Sequence, residues 1–213
     1  TPLFAYLGIH ALFIIVSLTF LATQVNHYRE NILTLILGDK EKEPFGKGLL
    51  KVITDPRNAL RISVFTGISI STIICLIAFG YSTVAFLSII LSLTLIILIQ
   101  QIKDDNASIN DVFITGILAI CISIGILVEI VTIKGDINRM NTVFKFYFQA
   151  WILFGIVTAY LLWRLEYGRA ILRGQQSFLS GRFANKGWGI LISTLIICGS
   201  IYAIAGTNSR LED

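Results

Sequence analysis

Hydrophobic residues along this chain are gathered into six long runs that are separated by polar segments. Each run has roughly 18 to 23 residues, which as a helix is enough to cross about 30 Å of hydrocarbon. Backbone polar groups in lipid must be satisfied within their own segment, so each run is predicted to be a helix. The predicted spans are residues 3–25, 62–79, 82–99, 112–133, 146–163 and 187–205.

The pattern predicts an all-α fold, a polytopic transmembrane helical bundle that forms one domain over residues 1–213. Only the dipeptide "GY" at 80–81 separates the second and third runs, which predicts a tight helical hairpin. Composition agrees, because 55% of the residues are hydrophobic and 14% are charged, against about 25% charged in soluble domains. The chain starts at Thr1 and no basic segment precedes the first run, so we expect a piece of a longer polypeptide rather than a signal peptide.

Basic residues are divided unevenly between the two sides of the predicted bundle. Of the 17 Lys and Arg residues, 13 lie in three loops that share one side. The positive-inside rule therefore predicts a multi-pass protein of the cell membrane with loops 26–61, 100–111 and 164–186 in the cytoplasm. Loop 134–145 is then extracytoplasmic. The net charge of +4 is explained by these anchoring loops, so the predicted partner is the lipid bilayer and not nucleic acid.

A polar segment, "GDINRMNTVFKFYFQAW" at 135–151, leads into the fifth run. If a helix begins near Asn138, then Asn138, Asn141, Lys145 and Gln149 lie within about 80° of one another. The opposite half of the helix is mainly aromatic. Anchoring at the membrane interface explains this stripe incompletely, because the stripe continues along the helix instead of staying at one level. Polar groups at depth usually face a protein interior or a wet cavity and mark a functional path.

Two acidic residues flank this segment. Glu129 lies inside the fourth predicted span and Asp136 lies in the loop that follows it. A carboxylate at such a depth needs a cation, a metal or a proton as its partner. One alternative is a structural ion pair between Glu129 and Arg139 or Lys145. In the other, the two acids hold a divalent cation or a proton while Arg139 and Lys145 bind an anion, for which phosphate oxygens are well suited.

The string "RMNTVFKFYFQAW", with Glu129 and "GD" before it, resembles the signature of an uncharacterised family of large bacterial and archaeal membrane proteins, the Chlor-Arch-YYY group. The resemblance covers about residues 129–151. That family, a domain of unknown function, is similar to the GT-C superfamily of polytopic glycosyltransferases. These enzymes use lipid-phosphate-linked sugars at the extracytoplasmic face. Members are much longer than this chain, so the resemblance implies a fragment of a larger GT-C-like protein. Its partners are then the remainder of a longer chain or other membrane subunits.

The resemblance implies transfer of a sugar from a polyprenyl-phosphate donor. Arg139 and Lys145 would hold the donor phosphate, and Asn138 and Asn141 would bind phosphate or sugar hydroxyls. Glu129 and Asp136 would orient the cations or contribute to a divalent metal site. The acidic catalytic motif of the superfamily has no match here, so catalytic residues are not assigned.

Two alternatives stay open beside the glycosyltransferase hypothesis. In a transporter or channel module, Glu129, Arg139 and Lys145 would line a path. In a structural membrane subunit, the same residues would form buried ion pairs.

The remaining polar and sulfur-bearing residues have simpler interpretations. His10 is predicted to be a hydrogen-bonded packing residue, because no second histidine lies at its level. The segment "KDDNASINDVF" at 103–113 is interpreted as a loop in which Asn110 or Asp111 caps the next helix, with a metal site as the weaker alternative. The three cysteines show no metal-binding or disulfide spacing and are predicted to be apolar packing residues: Cys75, Cys121 and Cys198.

Overall fold

A computed structural model describes the backbone of most of the chain and the side chains of a smaller part. The backbone is described for residues 2–29, 31–32, 56–131, 138–171 and 182–211, and side chains for 2–29, 31–32, 67–131, 143–165 and 186–201. These parts form six helices: α1 (Leu3–His27), α2 (Pro56–Ala78), α3 (Ser82–Lys103), α4 (Ile109–Ile130), α5 (Asn138–Ile171) and α6 (Arg182–Leu211).

The chain is an all-helical membrane protein, as the hydrophobic pattern predicts. Four segments are long and apolar enough to cross a bilayer by length and composition: Leu3–His27, Ser82–Lys103, Ile109–Ile130 and Val143–Leu165. The other two helices contain shorter apolar stretches, Gly67–Ala78 and Lys186–Ile201, within the described residues. Each helix overlaps one of the six predicted spans, so the fold class is confirmed.

The helix ends differ from the predicted spans by up to about two turns. α4 begins at Ile109 and ends at Ile130, where Val131 adopts an extended conformation. β-branched residues, which occupy positions 131–133, favour an extended conformation. A hydropathy pattern does not distinguish them from other apolar residues, so the predicted span runs past the end of the helix. α5 begins at Asn138 as expected and has 34 residues, which corresponds to about 51 Å. It therefore projects beyond the hydrocarbon layer.

Four helices pack in a closed ring around one core. α3 packs on α4, α4 on α5, α5 on α1, and α1 on α3. Each contributes an inward stripe of large side chains that are almost fully buried. In α5 this stripe follows the helical period of 3.6 residues: Ala150, Phe154, Val157, Leu161 and Leu165. The outer faces of α3 and α4 carry exposed apolar residues such as Ile89, Leu95 and Phe113, as expected of surfaces that meet lipid.

Several hydroxyl groups within the spans donate hydrogen bonds to carbonyls of their own helices. Thr94 donates a hydrogen bond to the Ile90 carbonyl at 2.7 Å, and Thr19 donates to the Ile15 carbonyl at 2.8 Å. Such bonds allow polar residues to lie in hydrocarbon without water.

α2 and α6 lie at the periphery of the ring. α2 contacts α3 across a turn in which Gly80 has a φ of 82°, a value that favours glycine. The Tyr81 N–H donates to the Leu76 carbonyl at 2.8 Å, which closes a Schellman-type helix end. α6 contacts α1, where the Trp188 Nε1–H donates to Thr19 Oγ1 at 3.2 Å.

The packing interpretation of the cysteines is confirmed for one of them. Cys121 is fully buried in the core, whereas Cys75 and Cys198 are exposed. The prediction was wrong for these two because α2 and α6 bury little surface against the described helices.

We predict that Phe154→Ala lowers the free energy of unfolding by about 2–3 kcal/mol. This value counts the lost packing contacts only. When the helices separate, the ring of Phe154 meets lipid rather than water, so there is no added cost of transfer into water. Phe154 is fully buried and stacks on Phe13 with ring centroids 5.7 Å apart. Unfolding in mixed detergent micelles measures the change. The matched control Phe148→Ala removes a ring that is 57% exposed and should cost less than about 1 kcal/mol.

Candidate functional site

A carboxylate at the end of α4 is held by a tyrosine of α5. Glu129 is 8% exposed, and the Tyr147 hydroxyl donates a hydrogen bond to its Oε1 at 2.5 Å. The distance is at the short end of the range for hydrogen bonds between two oxygen atoms. It joins the last turn of α4 to the third turn of α5.

Tyr147 also contacts two rings of α1. Tyr6 and His10 are stacked with centroids 4.3 Å apart, and the Tyr147 ring lies 5.9 Å from the first and 5.8 Å from the second. Three helices therefore bring Tyr6, His10, Glu129 and Tyr147 together inside the ring. We call these four residues the polar cluster. An intramembrane cluster of ionisable groups is a candidate functional site on physical grounds.

The prediction for His10 is confirmed in its packing and in one hydrogen bond. His10 is 2% exposed, and its Nδ1–H donates to the Tyr6 carbonyl at 3.1 Å. Its Nε2 and the Tyr6 hydroxyl are buried with no hydrogen-bond partner. Sequence alone does not connect this histidine with Tyr147 and Glu129, because their contacts depend on how α1, α4 and α5 pack.

The predicted polar stripe of α5 is located for Lys145 and Gln149. Both side chains are exposed, on the side of the helix opposite the buried Ala150 and Phe154. The exposed aromatic residues Phe144, Phe148 and Trp151 lie beside them. The stripe therefore turns away from the core of the ring.

The other predicted binding residues fall outside the described side chains. The backbones of Asn138, Arg139 and Asn141 belong to the first turn of α5, and Asp136 lies outside the described residues. Among the described side chains, Lys145 forms no hydrogen bond or ion pair with Glu129. Among the described side chains of α5, Tyr147 donates to this carboxylate.

A second carboxylate of α4 is also held by α5, at the opposite end of the helices. Asp111 is 5% exposed and accepts bonds from Arg164 Nε at 3.1 Å and Nη2 at 3.0 Å. The Tyr160 hydroxyl donates to it at 2.9 Å. The expectation that Asn110 or Asp111 caps α4 is wrong. Ser108 occupies the N-cap position without a side-chain hydrogen bond, while Asp111 is used in a contact between helices.

The two pairs follow one antiparallel register. Glu129 lies 18 residues after Asp111 on α4, and Arg164 lies 17 residues after Tyr147 on α5. Eighteen helical residues correspond to about 27 Å, close to the thickness of the hydrocarbon layer. The nearly equal spacings of 18 residues in α4 and 17 residues in α5 could have indicated the Asp111–Arg164 pair from the sequence.

The loop between α3 and α4 is fastened to the end of α1. The Tyr28 hydroxyl donates to Asp104 Oδ2 at 3.0 Å, and the Asn106 N–H donates to Asp104 Oδ1 at 3.0 Å. Burial, with this hydrogen bond, raises the pKa of Tyr28 to about 12, so the phenol remains a donor at physiological pH. A cavity of about 280 Å³ lies beside the loop. Its lining residues are Asn31, Gln100, Lys103, Asp104, Asp105 and Asn106.

The described residues contain no group of three or more His, Cys, Asp or Glu side chains that could hold a metal ion. The proposed metal site at Glu129 and Asp136 cannot be placed on this basis, because Asp136 lies outside those residues.

Comparison with protein families identifies the relationship of the chain. The model of a family described as uncharacterized membrane protein (DUF2298) matches residues 1–154. The chain belongs to this family. The match to the DUF2298 family includes α1, α3, α4 and the first half of α5, and with them all four residues of the polar cluster. Searches of curated proteins and of solved structures found no match.

We predict that Arg164→Met destabilises this DUF2298 protein by about 2–3 kcal/mol. Removing one partner leaves the Asp111 carboxylate buried without its cation, which costs about 3–5 kcal/mol in a fully buried pair. The smaller value follows because the Arg164 side chain is 34% exposed and water screens part of the effect.

A double-mutant cycle measures this coupling. Adding Asp111→Asn to Arg164→Met should recover at least half of the loss, since the neutral amide still accepts the Tyr160 hydrogen bond. The control Lys103→Met changes an exposed cation near the same end and should have little effect. Additive losses in the double variant would contradict the pairing.

Proposed function

We propose that this protein is a glycosyltransferase-like membrane protein that takes a sugar from a polyprenyl-phosphate donor at the extracytoplasmic face. The observation that carries the proposal is the bond between Tyr147 and Glu129. This bond holds the first turns of α5 against the last turn of α4. It thereby determines the depth of Lys145 relative to the end of α4. Residues 129–151 resemble the Chlor-Arch-YYY family, and the similarity of that family to the GT-C superfamily suggests the reaction class.

The exposed side of α5 suits a lipid-linked donor. Phe144, Phe148 and Trp151 are 74%, 57% and 49% exposed and offer an apolar surface to a prenyl chain within the bilayer. Lys145, exposed on the neighbouring strip of the same helix, would bind the phosphate at the membrane interface. A donor that approaches through the bilayer meets this face without entering the helix ring.

Arg139 and Lys145 would stabilise the phosphate as the sugar leaves. Negative charge grows on the phosphate oxygens in that step, and fixed cations lower the energy of the transition state more than that of the bound donor. Asn138 and Asn141 would contribute hydrogen bonds to phosphate or sugar hydroxyls. Glu129 would act as a positioning residue by holding Tyr147, and with Asp136 it could supply oxygen ligands to a divalent cation.

A transporter or channel module is the second candidate, and the polar cluster favours it. Tyr6, His10, Glu129 and Tyr147 lie inside the ring of helices, where a path for ions or protons would run. Proteoliposomes distinguish the two functions. A flux of ions or protons that is lost in Glu129→Gln supports transport, whereas sugar release from a polyprenyl-phosphate donor supports the transferase.

We predict that Arg139→Ala and Lys145→Ala each weaken binding of a polyprenyl-phosphate by about tenfold or more. One hydrogen bond to a charged group contributes about 1.5–3 kcal/mol, which corresponds to that change in Kd. The full-length protein in nanodiscs is titrated with a short-chain polyprenyl-phosphate. Lys103→Ala is the control, because it removes a cation at the opposite end of the bundle. Unchanged affinity in correctly folded Arg139 and Lys145 variants would end the phosphate-binding proposal.

A separate experiment tests which side of the membrane each loop faces. In a variant whose native cysteines are replaced by serine, Lys134→Cys should react with a membrane-impermeant maleimide on intact cells. Asp105→Cys, in the loop between α3 and α4, should react only after the cells are permeabilised, since the basic loops are expected in the cytoplasm. The reverse pattern would place the proposed site on the wrong side for a donor at the outer leaflet.

A further inference from the structure

Two polar atoms of the polar cluster are buried without a hydrogen-bond partner. They are the hydroxyl oxygen of Tyr6 and Nε2 of His10, in side chains that are 1% and 2% exposed. Buried polar atoms are satisfied in the great majority of proteins, because leaving them unpaired costs free energy. A pair of such atoms on two stacked rings therefore points to a small polar group that binds beside the rings.

The hydrogen-bonding character of the two atoms restricts what this group can be. The Tyr6 carbonyl can only accept, so the proton of the neutral imidazole resides on Nδ1 and leaves Nε2 as an acceptor. The Tyr6 hydroxyl can donate. An ammonium group could donate to Nε2 but could not accept the Tyr6 hydroxyl proton, and a carboxylate could accept that proton but could not donate to Nε2. A hydroxyl group or a water molecule can donate to Nε2 and accept from Tyr6 simultaneously.

The backbone of α4 approaches the Tyr6 hydroxyl closely at Gly125. A Cβ atom added at Gly125 would lie 3.3 Å from the Tyr6 hydroxyl oxygen and 3.1 Å from Leu87 Cδ1. A larger residue would therefore press directly on this oxygen. Gly116 lies on the same helix, and a Cβ atom there would meet nothing within 4 Å. The two glycines thus provide a substitution that crowds the Tyr6 hydroxyl and a matched one that does not.

We propose that Tyr6, His10 and Gly125 form a binding site for a single O–H group in the interior of the helix ring. The group accepts from the Tyr6 hydroxyl and donates to His10 Nε2. It comes either from a water molecule or from a hydroxyl of a bound sugar or alcohol. The Tyr147 ring, near both rings of the stack, links this site to the Glu129 carboxylate. The proposal goes beyond the proposed function and does not depend on it.

Nitrogen NMR of the histidine-labelled full-length protein in nanodiscs tests the site. The His10 signals are assigned as those that disappear in His10→Gln. We expect Nδ1 protonated, Nε2 unprotonated, and a cross-peak from Nε2 to an O–H proton. A cross-peak to bulk-exchanging water in ligand-free protein identifies water. A cross-peak that appears only after a free monosaccharide or glycerol is added identifies a ligand hydroxyl.

Three variants locate the site. Gly125→Ala should abolish the cross-peak, whereas Gly116→Ala should retain it. Tyr6→Phe removes the donor without adding volume and should weaken or abolish the cross-peak while the Nδ1–H signal persists. That signal also reports that the fold around α1 is intact.

Other results would overturn the proposal. These are a protonated Nε2 at neutral pH, the lack of any O–H cross-peak in both conditions, or a cross-peak that survives Gly125→Ala. Arg139→Ala and Lys145→Ala should leave the cross-peak unchanged, so failure of the phosphate-binding proposal is distinguishable from failure of this one.

Discussion

The contact between α4 and α5 depends on a requirement that hydrocarbon imposes on carboxylates. A carboxylate in a transmembrane helix must find hydrogen-bond donors inside the protein. α4 has two, Asp111 and Glu129, and α5 supplies donors to both. Because these contacts are separated by about 27 Å of helix, a slip of α5 by one residue would misalign both together. The register of the pair, and hence the level of every polar residue on α5, is set by this arrangement.

α5 consequently separates two chemical environments. Its inner side brings Tyr147 to Tyr6 and His10 in the interior of the ring, and its outer side exposes Lys145 and Gln149. The two sides are offset by about half a helical turn, so a ligand at one cannot touch the other directly. Under the proposed function, the phosphate of a lipid-linked donor would bind on the outer side. The inner side suits small polar groups, because the surrounding rings and Leu87 leave little volume.

Local pattern predicted the helices well, since length and hydropathy are properties of the segment itself. The last turn of α3 and the first of α4 were missed because Gln100, Gln101 and Asp111 are polar yet buried. Their burial depends on neighbouring helices. The stripe of Lys145 and Gln149 was predicted from the helical period. That it points away from the core was not predicted, because periodicity shows which residues share a face of the helix but not whether that face packs on protein or on lipid. The Tyr6–His10 stack and its approach to Glu129 required the packing of three helices that are distant in sequence.

The glycine turn between α2 and α3 has a consequence for how the protein is made. Gly80 allows the chain to reverse within two residues, so the two helices can enter the bilayer together as one hairpin during synthesis. Both open ends then stay on the side of origin, and Arg57, Arg61 and Lys103 never have to cross the hydrocarbon. α2 in turn needs few contacts with the ring to reach its position, because the turn and α3 have already placed it there.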